Sequence, residues 1–218
     1  LIRPRSAFFF ARNTMASLDS FMSRLMVWVP SCPQPLAAQS LLDTAIDFCR
    51  ETGIMRASVG PLSVQYGNAD YLPSLPHDTR ILRVVSATYR GAPLTPTPDE
   101  VLDGAIGTPR QISCPSATTV RLYPAPDETE TSVLRLNVVL VPKASASLIP
   151  DPLYDEWLDA IVAGAAARIS AIPDQPFTNP TVAAEATMRY RQQLTRAKAE
   201  AAGPRLVTNA RVRPHPLA

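Results

Sequence analysis

Few residues in this chain are suited to acid–base or nucleophilic chemistry. Histidine, the commonest general base in enzymes, occurs only at His77, in a Leu-Pro-His-Asp loop, and at His215, between two prolines. Asp155 and Asp159 share one face of a predicted helix and could, with Glu156, bind a cation, but acidic first turns also stabilise helices through the helix dipole. The sequence has no glycine-rich phosphate loop of the P-loop or dinucleotide type. It therefore predicts a protein that is not an enzyme, with no catalytic residue, cofactor or metal; a small hydrolase is the weakest alternative.

The cysteines give no sign of a metal or redox centre. The chain has three cysteines, an odd number, at the widely spaced positions Cys32, Cys49 and Cys114. They form neither a CxxC pair nor a zinc-binding pattern. We expect reduced thiols in a protein assembled in the cytosol, with Cys49 buried on a helix. No run of about 18 apolar residues occurs, so no membrane-spanning helix is predicted.

Positive charge is concentrated near the C-terminus, and no carboxylate follows Glu200. The basic residues are Arg189, Arg191, Arg196, Lys198, Arg205, Arg211 and Arg213. Side chains at this density can contact phosphates without reading base sequence. However, the net charge of the whole chain is only +2, and Tyr190 is the single aromatic residue in this stretch, so no base-stacking platform is predicted. Two interpretations stay open: sequence-independent DNA binding through residues 189–213, or a solvated helix face followed by an arm that docks on a protein.

Helical periodicity is clear at both ends of the chain. Apolar residues recur every three to four positions over residues 35–50, and Gly53 is placed to end that helix. A weaker pattern predicts a short helix at 17–26, and another helix begins near Pro152. The last helix starts at Asn179-Pro180, a capping residue followed by proline, and runs to Ala202.

The middle of the chain changes to strand composition. Three segments rich in β-branched and aromatic residues, 81–89, 118–123 and 133–141, are each closed by a turn or a proline. Residues 62–65 and 111–113 could add short edge strands. We therefore predict a small antiparallel sheet or sandwich.

The predicted fold class is α+β: a helical bundle formed by the N- and C-terminal thirds, with an inserted small antiparallel β-sheet or sandwich module and extended termini. The predicted parts are an N-terminal extension and short helix (1–30), the bundle (31–59 and 143–203), the β module (60–142) and an extended C-terminal arm (204–218). Met15-Ala16-Ser17 is typical of a translation start. Residues 1–14 are therefore interpreted either as a capping arm in a neighbouring subunit or as an extension foreign to the assembled protein.

Several segments resemble one family. Residues 41–52, LLDTAIDFCRET, are similar to the opening helix of bacteriophage head-to-tail adaptor proteins, the group that includes tail tubular protein A. Residues 90–96 and 122–126 are similar to the family's hairpin and strand ends. The closest similarity is in 156–169, EWLDAIVAGAAARI, followed by 172–180, IPDQPFTNP. The resemblance covers residues 36 to about 202 in order, with Phe177 where the family usually has tryptophan.

The resemblance implies a virion structural protein at the neck, assembled in the host cytoplasm. Such adaptors form a homo-oligomeric ring, usually a dodecamer, that docks under the portal protein, extends the DNA channel and carries the tail nozzle or tail tube. An alternative within the virion is a tail-completion or stopper ring. The resemblance gives no membrane partner.

The resemblance also suggests three sets of functional residues. The arm that docks on the portal would use Arg205, Leu206, Val207, Arg211, Val212, Arg213 and Pro214. Packing within the bundle or between subunits would use Trp157, Ile161, Gly164, Phe177 and Tyr190. Nonspecific contacts to DNA in the channel would use Arg189, Arg191, Arg196 and Lys198.

Overall fold

The computed structural model describes residues 15–98 and 105–202. This part of the chain contains helices α1 (Leu18–Trp28), α2 (Gln34–Thr52), α3 (Asp151–Ser170) and α4 (Pro180–Ala202). Its strands are β1 (Met15–Ser17), β2 (Arg56–Val64), β3 (Asp70–Tyr71), β4 (Thr79–Tyr89), β5 (Ala92–Pro96), β6 (Gln111–Ser113), β7 (Val120–Tyr123), β8 (Glu130–Pro142) and β9 (Leu148–Pro150).

Local capping explains where two of the helices begin and end. Gly53 adopts a left-handed conformation with φ of 60° at the end of α2, and its N–H donates to the carbonyl of Cys49 at 2.9 Å. At the start of α4, the side-chain oxygen of Asn179 accepts hydrogen bonds from the N–H groups of Thr181 and Val182 at 3.1 and 3.2 Å. The predicted helix end at Gly53 and the predicted start of α4 are thereby confirmed.

Seven strands form one sheet in the order β2-β8-β4-β5-β6-β7-β3, and β1 pairs with β9 in a separate two-stranded ribbon. The sheet is nearly closed, because Tyr71 on its last strand returns to the end of its first. The Tyr71 hydroxyl accepts from the N–H of Gln65, one residue beyond β2, at 3.2 Å and donates to the carbonyl of Asn68 at 2.6 Å. The result is a barrel-like sheet rather than an open one.

Strand β8 is the shared element of the barrel and the helices. It pairs antiparallel with β2 on one side and with β4 on the other. Its second half, from Val138 to Val141, is fully buried on both faces, and Val139 lies against Gly53 at the end of α2. A strand covered on both faces loses the alternation of polar and apolar residues, which explains the continuous apolar run in this part of the sequence.

The predicted fold, a helical bundle with a small inserted antiparallel sheet or sandwich, is wrong. The sheet has seven strands, it is nearly closed, and β5 pairs with β6 in parallel. Buried residues of the helices and of the barrel also belong to one continuous hydrophobic cluster, so the sheet is not a separate minor module. The error has a physical cause. Strand β5 begins at Ala92-Pro93, which has turn composition, and its parallel partner β6 begins only at Gln111, beyond the reach of local sequence patterns.

Candidate assembly surfaces

Three of the predicted packing residues lie on α3 where this helix is enclosed by others. Trp157, Ile161 and Gly164 are buried, and the Trp157 ring lies 5.4 Å from the ring of Phe48 on α2. Tyr190, on α4, approaches the same Phe48 ring at 6.4 Å. The structure therefore brings these residues together in a seam between α2, α3 and α4, inside one subunit.

Gly164 is the closest point of this seam. A Cβ at this position would lie 2.5 Å from Cγ2 of Thr44 on α2 and 2.8 Å from Cδ2 of Tyr190 on α4. Both distances are shorter than carbon atoms tolerate, so the neighbouring side chains or their helices would have to shift. The absence of a side chain at Gly164 thus sets how near α2 and α4 approach α3.

Phe177 is buried in the corner between α3 and α4. The corner is held by its own hydrogen bonds. The Thr178 hydroxyl donates to the carbonyl of Ile172 and accepts from the N–H of Gln175, and the Asn179 N–H donates to the carbonyl of Ser170 at 3.0 Å. These bonds fix the direction in which α4 leaves α3.

Charged groups connect the same three helices at their exposed edges. Arg168 on α3 pairs with Asp47 on α2, and Lys198 on α4 pairs with Glu51 on α2 at 2.9 Å. The Tyr190 hydroxyl lies among these groups, and burial, followed by the charge of Glu51, raises the pKa of Tyr190 to about 12. The tyrosine therefore stays neutral at physiological pH, and the seam combines an apolar centre with ion pairs at its rim.

The predicted DNA-contact residues do not form one open basic patch. Arg189 pairs with Glu185 at 2.7 Å and Arg196 pairs with Glu200 at 3.0 Å, while Lys198 is paired with Glu51. The guanidinium of Arg189 also lies over the Trp28 ring, and that of Arg196 lies over the Trp157 ring. Arg191 is exposed, and no carboxylate of the described residues pairs with it.

The predicted portal-docking residues lie outside the described residues. They are Arg205, Leu206, Val207, Arg211, Val212, Arg213 and Pro214.

Comparison with known proteins identifies the group to which the chain belongs. The family model described as SU10 adaptor protein matches residues 16–215. The chain is a member of the SU10 adaptor protein family. This confirms the resemblance to phage head-to-tail adaptors, so the protein has a phage adaptor role and is a structural protein of the virion neck. A search of curated proteins found no match.

The last described turn of α4 in this SU10 adaptor protein is bound by Arg56, a residue for which the sequence predicts no role. Arg56, the first residue of β2, donates from Nη2 to the carbonyl of Ala201 at 2.6 Å and from Nε to the carbonyl of Gly53 at 3.3 Å. The partners Arg56 and Ala201 are 145 residues apart. No local pattern around Arg56 signals this contact.

Side chains that could react or bind a metal are dispersed in the described part of the SU10 adaptor protein. Across residues 15–98 and 105–202, no cluster of three or more histidine, cysteine or acidic side chains could hold a metal ion. The His77 side chain is exposed beside Asp78, with 3.2 Å between Nδ1 and Oδ1. Cys49 is buried, as predicted, and burial raises the pKa of its thiol far above the usual range. None of the helices in the described ranges is long and apolar enough to cross a membrane.

Proposed function

We propose that this chain is the repeating subunit of a homo-oligomeric ring that docks beneath the phage portal, extends the DNA channel and carries the tail. The observation that carries the proposal is the family match, which spans the described fold and continues into the C-terminal segment as far as residue 215. The proposed copy number, a dodecamer, and the tail nozzle or tail tube proteins as partners come from the resemblance to head-to-tail adaptors.

Residues 204–218 are the proposed portal-docking arm. The segment contains three arginines and three prolines and no carboxylate. Docking immobilises the backbone and side chains of such a segment, and this entropic cost limits the affinity of one arm. A ring offsets that cost, because once one arm is bound the others meet the portal at high effective concentration.

Contacts with DNA in the channel would be weak and independent of sequence. Of the four cations on α4, three are paired with carboxylates inside the subunit, and Arg191 is the one free of such a pair among the described residues. A ring would nevertheless repeat Arg191 in every subunit. Repeated weak contacts to phosphate suit a channel through which DNA must slide.

The experiment is mass photometry of the purified chain, alone and mixed with its portal ring. We expect a multi-subunit complex on the portal that is lost when residues 204–218 are deleted. A variant with Arg205, Arg211 and Arg213 changed to alanine should weaken docking, whereas Arg110→Ala, an exposed arginine elsewhere, serves as the matched control. A chain that does not bind the portal would refute the proposal.

The alternatives predict other results. A stopper or tail-completion ring would bind the assembled neck but would not bind the isolated portal. A sequence-independent DNA-binding protein using residues 189–213 would shift DNA on its own, with affinity falling steeply as salt rises. The intramolecular pairing of the α4 cations gives this last function less support than portal docking.

A further inference from the structure

The last described turn of α4 matters because the C-terminal segment continues from it. Ala202 is the last residue of α4 that the structure describes, and residue 203 follows it in the chain. The last four carbonyl groups of a helix have no partner inside the helix, so the last turn frays unless other groups bind them. In this protein Arg56 binds one carbonyl of the last described turn, and Glu51 pairs with the side chain of Lys198 just before it.

Both side chains come from the corner between α2 and β2. Glu51, in the last turn of α2, pairs with Lys198 at 2.9 Å, and Arg56, at the start of β2, donates to the Ala201 carbonyl at 2.6 Å. The same guanidinium also donates to the carbonyl of Gly53, at the end of α2. Arg56 thus links the ends of two helices to the first strand of the barrel.

The chemistry of this contact is specific to arginine. A positive charge at a helix C-terminus is favoured by the helix dipole, and a charge-assisted hydrogen bond is stronger than a neutral one. The planar guanidinium presents several N–H donors in a fixed fork and can therefore bind two carbonyl groups at once. Ala197 and Ala201 are buried beside this contact, so the last turns of α4 are held by packing as well as by charge.

We propose that Arg56 is the positioning residue of the C-terminal arm: by fixing Ala201 against the α2–β2 corner, it holds the point at which residues 203–218 continue from the described part of the chain. This inference rests on the proposed function. Anchoring the base of the arm removes freedom that would otherwise be lost on docking, so it raises the effective concentration of the arm at its binding site.

The test compares Arg56→Ala, Arg56→Lys and a control, Arg135→Ala, in the full chain. Arg135 is an exposed arginine on β8 and lies outside the α2–β2 corner. We expect Arg56→Ala to bind the portal about tenfold more weakly, which corresponds to the loss of about 1.4 kcal/mol. Arg56→Lys should recover part of the affinity, since lysine keeps the charge but not the fork. Hydrogen exchange should become faster at the amides of residues 198–202 in Arg56→Ala and stay unchanged in Arg135→Ala.

A second variant tests positioning without touching Arg56. Inserting Gly-Ser after Ala202 leaves the corner intact but frees the arm from the helix, so it should weaken docking to a similar extent. If Arg56→Ala does not fold, the portal affinities of Arg56→Lys and of the insertion variant test the inference.

The inference is overturned if the wild-type chain docks and these variants dock equally well, or if exchange at 198–202 is no faster in Arg56→Ala than in the wild type. If the wild-type chain itself does not bind the portal, the proposed function fails instead, so the two failures are distinguishable.

Discussion

Gly164 gives the sharpest stability prediction, because its environment is defined on two sides. The change is Gly164→Ala, which adds one methyl group 2.5 Å from Cγ2 of Thr44 and 2.8 Å from Cδ2 of Tyr190. Carbon atoms pack at about 3.5–4.0 Å, so the side chains of Thr44 and Tyr190, or the helices that carry them, must each move by about 1 Å. Overpacking of this kind costs about 1–3 kcal/mol, and two opposed contacts place the cost near the upper end.

Part of that cost is offset within α3 itself. Alanine is a better helix former than glycine by about 1 kcal/mol, so the expected net loss is about 2 kcal/mol in the free energy of unfolding. In a domain of this size, 1 kcal/mol lowers Tm by about 2–4 °C, which gives an expected decrease of about 4–8 °C. Thermal unfolding followed by circular dichroism measures this directly.

A double-mutant cycle identifies the contact responsible. Thr44→Ser removes the Cγ2 methyl group but keeps the hydroxyl, which donates to the carbonyl of Ser40 at 2.7 Å. We expect Gly164→Ala combined with Thr44→Ser to recover part of the lost stability, so that the two changes are not additive. If Gly164→Ala is as stable as the wild type or more stable, the helix-crossing argument is wrong.

Four further changes test other contacts. Asn179→Ala should lower the free energy of unfolding by about 1 kcal/mol through loss of the α4 cap, measured by urea denaturation, and an unchanged midpoint would contradict the capping role. Tyr71→Phe should cost about 1–2 kcal/mol, because it leaves the Gln65 N–H and the Asn68 carbonyl unpaired where the barrel nearly closes; an equal Tm would show that water replaces the hydroxyl. Ser170→Ala should be neutral or stabilise by up to about 1 kcal/mol, since that buried hydroxyl has no partner among the described residues, and clear destabilisation in the same assay would count against this. Asp70 has its pKa lowered, chiefly by hydrogen bonds from Arg121, so its contribution to stability is present above the unfolded pKa of about 3.9 and is lost as pH falls through the folded pKa. The difference in Tm between the wild type and Asp70→Asn should therefore be largest near neutral pH and shrink below about pH 4, and a difference independent of pH would contradict the ion pair.

The sequence was most informative where structure is decided locally. The predicted start of α4 agrees with the observed Pro180, because the Asn179 cap acts within a few residues. Helix α2 extends slightly beyond the predicted 35–50, and β6 has the predicted bounds of 111–113. Each of these signals depends on neighbours along the chain.

Long-range pairing was the part that could not be predicted. Strand β2 is nine residues long, where four were expected, because its pairing with β8 continues through the irregular Gly60-Pro61 region. Strand β3 has only two residues and is specified by the β7 beside it rather than by its own composition. Since these pairings close the sheet, missing them led to a small module instead of a barrel.

The candidate surfaces likewise contain residues that local spacing predicts and contacts that only the fold creates. The helical spacing of Trp157, Ile161 and Gly164 pointed to a shared apolar side of α3, and all three are buried there. The partners of the α4 cations depend on the fold: Lys198 pairs with Glu51 from another helix, which no spacing in α4 reveals. For the same reason, the sequence predicts no role for Arg56, because only the fold brings Ala201 beside it.

The central place of β8 has a consequence for synthesis of the chain. Strands β2 and β4 both pair with β8, and α2 packs against α3, yet β8 and α3 begin only at Glu130 and Asp151. More than half of the protein must therefore leave the ribosome before the barrel or the helical seam can form. Contacts this distant along the chain slow folding and leave apolar strands exposed in the meantime. A nascent chain stalled before residue 130 should be sensitive to protease throughout, and protection should appear only once α3 has emerged.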